Sequence, residues 1–275
     1  MKTKMAKISL VMVFLFVVVA CVREPLAPNP NDEKLYGQAG VAQSGAQFTE
    51  ATELYREIIS EYPSSMRYDN AVLGLAECLR ALGHRDSAVY ALRKMPTGSS
   101  YYGESLLRQG QYMVEDMQFW PSDSAPSALR KAIRWNGDAA VVGEAWYSLG
   151  AAFYKMVSTG ATTRGFFYDS ALVAYGELRT QYPNHVRFSD AAYRIGWVLY
   201  QKGSWLNAAD TLKTYATDFP ESALADGAMY WAAKSLGTAG KDCEAKSLMQ
   251  LMLSNYPFTD KRVSAQAEIL GWSCP

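Results

Sequence analysis

Four cysteines and two histidines are the residues of this chain best suited to ligate a metal or form a covalent bond, and their spacing limits what they can do. Neither His84 nor His185 has a second ligand at i, i+4, so both read as solvated loop residues and no metal site is expected. Gly237-Thr238-Ala239-Gly240-Lys241-Asp242 lacks the spacing of a phosphate loop and the Ser or Thr that must follow its Lys, and no G-x-S-x-G elbow occurs. Acidic residues are scattered over helix surfaces without the carboxylate pair that glycoside hydrolysis requires. The expectation is a non-enzyme with no catalytic residue, no metal and no cofactor.

Charge points the same way. Lys plus Arg equals Asp plus Glu at 27 each, so no net field steers the chain toward nucleic acid, which is excluded as a partner. With 49% hydrophobic and 20% charged residues the chain should fold rather than stay disordered. Three of the cations, Lys2, Lys4 and Lys7, precede an apolar run from Ile8 to Ala20, whose 13 residues are too few to span about 30 Å of hydrocarbon but match a signal-peptide core. Removing them leaves 24 basic against 27 acidic residues, a formal charge of −3.

The run closes on Val18-Val19-Ala20-Cys21, a small residue immediately before a cysteine, which resembles a bacterial lipobox. That resemblance implies that residues 1–20 are a lipoprotein signal peptide and that Cys21 becomes the first mature residue, carrying a thioether-linked diacylglyceryl group. Several acyl chains anchor a soluble domain stably where one is marginal. Pro25, Pro28 and Pro30 then favour an extended tether over residues 21–33. Arg23 stands where an Asp would retain an enterobacterial-type lipoprotein in the inner membrane, so the resemblance implies an outer-membrane anchor facing the periplasm. Export also permits disulfides. Cys78, among Leu75, Ala76 and Leu79, reads as a buried free thiol. Cys243 and Cys274 could pair if the terminal segment folds back, closing about 30 residues for roughly 3 to 4 kcal/mol. Sequence alone leaves that connectivity open.

The elements that position these residues are helices, because apolar residues recur at three- and four-residue spacing from Glu33 onward. Pro183, Pro220 and Pro257 are 37 residues apart, and Ala171, Ala208 and Ala245 each precede one of them by 12. Ala51, Ala88 and Ala128 extend the series to six units with intervals of 37, 40, 43, 37 and 37. Insertions fall around Asp116 to Pro126 and Val157 to Phe166. Within the fifth unit, Ile195, Gly196, Leu199, Gly203, Ala208, Leu212, Tyr215 and Pro220 resemble the tetratricopeptide repeat. Gly196 and Ala208 let two helices approach, Gly203 ends the first helix, and Pro220 stops the second. The resemblance implies an all-α, tetratricopeptide-like superhelical solenoid over residues 34–275, of about six helical hairpins with a capping helix near Asp260 to Gly271.

Two exported families share this spacing. Leu35-Tyr36, Ala39, Ala51, Tyr55, Tyr62-Pro63-Ser64, Ala71, Leu73, Leu75 and Ala76 are similar to the opening repeats of the outer-membrane barrel-assembly lipoprotein D family. Ala228-Met229-Tyr230-Trp231-Ala232 with Asn255-Tyr256-Pro257 resembles the C-terminal repeats of the coordinator associated with the Tol-Pal system. Both imply binding rather than catalysis, the first with an outer-membrane β-barrel assembly protein as partner.

In tetratricopeptide solenoids the first helices line the concave face. If Ala192, Ile195, Gly196 and Leu199 point inward, the adjacent stripe presents Asp190, Tyr193, Trp197 and Tyr200, and the same register adds Tyr147, Tyr154 and Tyr230. Two readings of this aromatic strip stand. Either the rings anchor a protein segment, since Tyr and Trp offer large contact area at low entropy cost, or they pack as ordinary core. The sequence therefore points to a membrane-anchored periplasmic scaffold for other envelope proteins, with a Tol-Pal-type coordinator or an aromatic-grooved glycan or peptidoglycan binder as alternatives.

Overall fold

The computed structural model describes residues 29–135, 137–158 and 164–274. Within them the chain is all-helical: α1 (Pro30–Ser44), α2 (Phe48–Glu61), α3 (Tyr68–Ala81), α4 (Arg85–Leu92), α5 (Tyr102–Glu115), α6 (Ser124–Arg134), α7 (Ala139–Ser158), α8 (Arg164–Gln181), α9 (Phe188–Lys202), α10 (Trp205–Asp218), α11 (Ala225–Thr238), α12 (Asp242–Asn255) and α13 (Arg262–Gly271). Consecutive helices pair as six hairpins, and α13 caps the last of them. The signal segment, Cys21 and residues 21–28 of the tether lie outside the described residues.

Three boundaries differ from the sequence reading. The first helix begins at Pro30, so the tether ends before residue 33. A proline is tolerated in the first turn because its missing N–H is unpaired there anyway, and Asn29 caps the helix by accepting from the Asn31 N–H at 3.0 Å. At the insertion after Val157, α7 runs to Ser158 and α8 starts at Arg164, and the two helices lengthen to 20 and 18 residues. The insertion after Asp116 forms a short 3₁₀ turn over Met117–Phe119 and then enters α6 at Ser124.

The proline that ends each second helix also sets up the next hairpin. Two residues beyond Pro63, Pro183, Pro220 and Pro257 stand Ser65, His185, Ser222 and Thr259, and each side chain accepts from the backbone N–H two residues later, at 2.8, 3.1, 3.2 and 3.2 Å. Each thus satisfies a donor that would be orphaned at the next helix start. His185 is therefore a built part of the turn rather than a solvated loop residue. A backbone N–H only donates and a carbonyl only accepts, so Nδ1 accepts from Arg187 while Nε2–H donates to the Ala140 carbonyl at 3.0 Å. His84 is exposed, ahead of α4.

Helices meet closely where a small residue removes the obstacle. A Cβ placed on Gly196 of α9 would lie 2.5 Å from Leu212 Cγ of α10, and one on Gly150 of α7 would lie 2.7 Å from the Tyr175 ring of α8. Leu212 and Tyr175 are wholly buried, so neither can yield. Gly203 closes α9 with φ at +85°, a conformation that suits a residue without Cβ, and its N–H returns to Tyr200 O and Leu199 O. The buried side chains form a chain of clusters along the stack, each spanning more than one hairpin.

The far end is stapled. Cys243 and Cys274 form a disulfide with Cα atoms 5.0 Å apart, Ser273 N–H donates to Asp242 at 3.0 Å, and the Trp272 indole fills the space over Gly237. Cys78 is a buried free thiol whose pKa burial pushes up to about 11, leaving it protonated and inert at neutral pH.

Gly196→Ala should therefore lower stability by about 1–3 kcal/mol through overpacking, whereas Gly176→Ala, where an added Cβ meets nothing within 4 Å, should leave it level or raise it by up to about 1 kcal/mol. Thermal melts of the two variants check the pair. Reduction of the disulfide, or Cys274→Ser, should speed amide hydrogen exchange in α12 and α13 while α3 to α5 exchange as before, because solenoid stability is local to neighbouring repeats.

Candidate functional site

First helices pack on one another across repeats at α1 with α3, α5 with α7 and α9 with α11, and no pair of successive second helices packs as closely among the described residues. The row of first helices is thus the inner side of the curve. Its side chains are coupled from one repeat to the next by polar contacts 31 to 47 residues apart in sequence. Arg67 reaches Glu33 at 2.5 Å, Arg108 reaches Glu77, Arg80 reaches Glu115 at 2.6 Å, Gln111 donates to Ser148 at 3.1 Å, Arg187 reaches Glu144 at 3.0 Å and Lys234 reaches Glu268 at 2.7 Å. Lys155 donates to the last carbonyls of α5, where a cation suits the helix C-terminus.

The predicted strip lies on this row but is not uniform. Trp197 and Tyr200 stack at 5.8 Å, and Trp197 Nε1–H donates to the Tyr154 hydroxyl at 2.8 Å. Tyr147 lies under the Arg187 guanidinium at 5.0 Å and accepts from Arg194 Nε at 3.4 Å. Asp190 is held by Arg187 at 3.1 Å. Tyr193 turns its ring onto Tyr215 at 5.6 Å, and Tyr230 is buried at 7% exposure, so those two serve the helix interface more than a groove. The strip is therefore part surface and part core: Tyr154, Trp197 and Tyr200 are half-buried.

Sequence reasoning missed Trp231. It stands one repeat after Arg194, one position beside the chosen register, yet its ring is the hub of the cluster, 4.6 Å from Trp197, 5.0 Å from Tyr200 and 5.3 Å from Tyr230. A helical face is a band about 100° wide rather than a single row, which is the signal that would have admitted it. Lys234 Nζ sits 5.6 Å from the Trp231 centroid, adding a cation over the ring. Toward the N-terminal end the same face opens into a cavity of about 550 Å³ between α5 and α7, lined by Arg80, Arg108, Gln111, Glu144, Tyr147 and Ser148 among others. The inner face thus passes from ion-paired and polar to aromatic.

Chemically this surface offers stacking faces, amide and hydroxyl partners and neutralised charges. Among the described residues no group of three or more His, Cys, Asp or Glu is placed to hold a metal ion, and no helix is long and apolar enough to cross a membrane. Burial raises the Glu115 carboxyl, but hydrogen bonds from Arg80 and Arg85 outweigh it and hold the pKa below the ordinary glutamate value.

Residues 35–65 and 190–222 match the family model of the tetratricopeptide repeat. No curated protein matches the chain. Among solved structures it is similar to PilW, a widely conserved type IV pilus biogenesis factor, at 15% identity over 88% of this chain and 98% of that one, with a TM-score of 0.58. It is similar to Pseudomonas aeruginosa PilF at 15% identity over 86% and 97%, TM-score 0.57. It is also similar to the C-terminal part of a tetratricopeptide-repeat-containing protein of Cytophaga hutchinsonii at 12% identity over 86% and 95%, TM-score 0.59. At these identities the likeness shows a shared solenoid fold.

Glu115 fixes one pH dependence. Its folded-state pKa is depressed, so its contribution is present above the ordinary glutamate value and lost as pH falls through the lower folded value. The stability difference between the wild-type protein and Glu115→Gln, about 1 kcal/mol or less at neutral pH given partial exposure, should shrink toward zero in denaturation curves taken at successively lower pH below the glutamate range.

Proposed function

We propose that this chain is a protein-interaction scaffold of the bacterial envelope, held to the outer membrane on its periplasmic side by lipid on Cys21, whose concave face receives an extended or helical segment of a partner protein. The observation that carries the binding reading is the aromatic cluster of Trp197, Tyr200 and Trp231, half-exposed on the inner row. A large amphipathic ring that is partly exposed buries apolar area on contact and loses little side-chain entropy, which suits an anchor for a peptide. The lipobox-like Val18-Val19-Ala20-Cys21 and the proline-containing segment after it support the anchor.

The cluster's geometry favours a protein partner over a glycan. Sugar rings stack on broad, open aromatic faces, whereas here Trp197 and Trp231 meet edge-to-face at 74°. Lys234, itself paired with Glu268, lies over the Trp231 ring. For the partner we infer a component of outer-membrane β-barrel assembly, because Leu35-Tyr36, Ala51, Tyr55 and Tyr62-Pro63-Ser64 are similar to the opening repeats of the barrel-assembly lipoprotein D family.

Affinity capture from detergent-solubilised envelope with the full lipidated chain tests this reading. Recovery of a β-barrel assembly protein is expected, reduced about tenfold or more by Trp197→Ala combined with Tyr200→Ala in protein that melts as the wild type does, and Cys21→Ala should leave the membrane fraction. Capture unchanged by the double variant sinks the groove. Recovery only of peptidoglycan fragments overturns the scaffold, and recovery of Tol-Pal components moves the chain to the coordinator reading.

A further inference from the structure

A second cavity lies on the opposite side of the solenoid, among the second helices. It opens between α2 and α4 and has a volume of about 740 Å³, within the range of sites that hold small ligands or short peptide segments. It exists because the repeat is irregular here. Helix α4 has only eight residues where α2, α10 and α12 each have 14, and the cavity runs past its early end to Arg93, Lys94 and Trp120. Ile59 of α2 with Leu75 and Leu79 of α3 form the floor. The insertion after Asp116, which the concave face does not use, supplies one wall with Trp120; Tyr90, 67% exposed, supplies the other.

Cations ring this apolar floor. Arg56, Arg93 and Lys94 line the cavity, and Asp86 is the sole acid among its lining residues. None of the three makes an ion pair among the described residues. Two of them instead lie over the walls, Arg93 at 5.6 Å from the Trp120 centroid and Lys94 at 5.9 Å from Tyr90. The stacking orients each cation over a ring while leaving its hydrogen-bond donors for an acceptor. Like charges gathered around one cavity repel, and a carboxylate arriving among them removes that repulsion as well as gaining its own attraction.

We propose that this convex pocket is a binding site, distinct from the concave face, for a short acidic segment of a partner protein, with an aromatic or aliphatic side chain on the Ile59–Leu75–Leu79 floor and flanking carboxylates on Arg56, Arg93 and Lys94. Charge complementarity selects the acidic partner. The open run of the cavity between two helices suits a chain that enters and leaves better than a compact small molecule does. The site is independent of the concave reading, since the two share no lining residue.

The test is a selection of random short displayed peptides on the wild-type protein, followed by titration of the recovered sequences as synthetic peptides. Expected are sequences with Asp or Glu flanking an aromatic or aliphatic residue. They should bind about tenfold or more weakly to Arg56→Glu/Arg93→Glu/Lys94→Glu, and more weakly at high salt. The three residues are exposed, so the charge-reversed protein should fold, which circular dichroism checks. Trp197→Ala/Tyr200→Ala, which disables the concave face, should bind these peptides as the wild type does. Selection without acidic enrichment, or binding indifferent to the charge reversal, overturns the proposal. So do displacement of every peptide by laurate at comparable affinity, which makes the pocket an acyl-chain site, and concentration-dependent self-association through the pocket.

Discussion

A helical hairpin of this length cannot bury its apolar face by itself, and every other feature of the molecule depends on that constraint. Each hairpin must lay its first helix against its own second helix and against the preceding pair. Close approach at the first contact needs a residue with little or no side chain, which Gly150 and Gly196 supply opposite Tyr175 and Leu212. Orientation at the second contact is set by the turn. The proline that halts one helix is followed two residues later by a side chain that caps the start of the next. His185 can replace Ser or Thr there because an imidazole nitrogen accepts the same backbone N–H, and its second nitrogen then ties the turn to α7.

How much of this is legible in the sequence follows from which features repeat. The 37-residue spacing of Pro183, Pro220 and Pro257 placed α8 to α13 in register, since one physical requirement recurs in one place per unit. The boundaries that moved are those where the period breaks. At Pro30 the local rule that proline is acceptable in a first turn outranks its reading as a tether residue. After Val157 two helices simply grow. The inter-repeat pairs, such as Arg187 with Glu144 and Arg108 with Glu77, were not legible, because partners more than 30 residues apart have no local signature. Trp231 was missed for a different reason: a strict stripe was drawn where the surface is a band.

The inner row changes character along its length, and the cause is which residues the neighbouring first helices present to each other. From α1 to α7 the contacts across repeats are largely acid–base, so charges are spent on one another and the surface between them is polar. From α9 to α11 the contact across repeats is made by Trp197, Tyr200 and Trp231 and becomes ring on ring. A partner lying along the groove would therefore meet hydrogen-bonding groups first and an apolar anchor last. That order fixes a direction for whatever segment binds, since the reversed segment would place its apolar residue against paired charges.

The end of the stack shows the same constraint in reverse. Gly196 and, one repeat on, Ala233 are the positions against which the wholly buried Leu212 and Met249 of the second helices fit. One further repeat along stands Leu270 of α13, 88% exposed. There a branched side chain, open to solvent, stands where the earlier repeats place Gly or Ala against a buried residue of a second helix. A helix with only one flank packed would fray, and here the chain beyond it turns back. Trp272 fills the space over Gly237, Ser273 bonds Asp242, and the disulfide to Cys243 fastens the return. Covalent closure appears where α13 is packed on one flank only, so that the cross-link adds to a contact that neighbouring hairpins make on two sides.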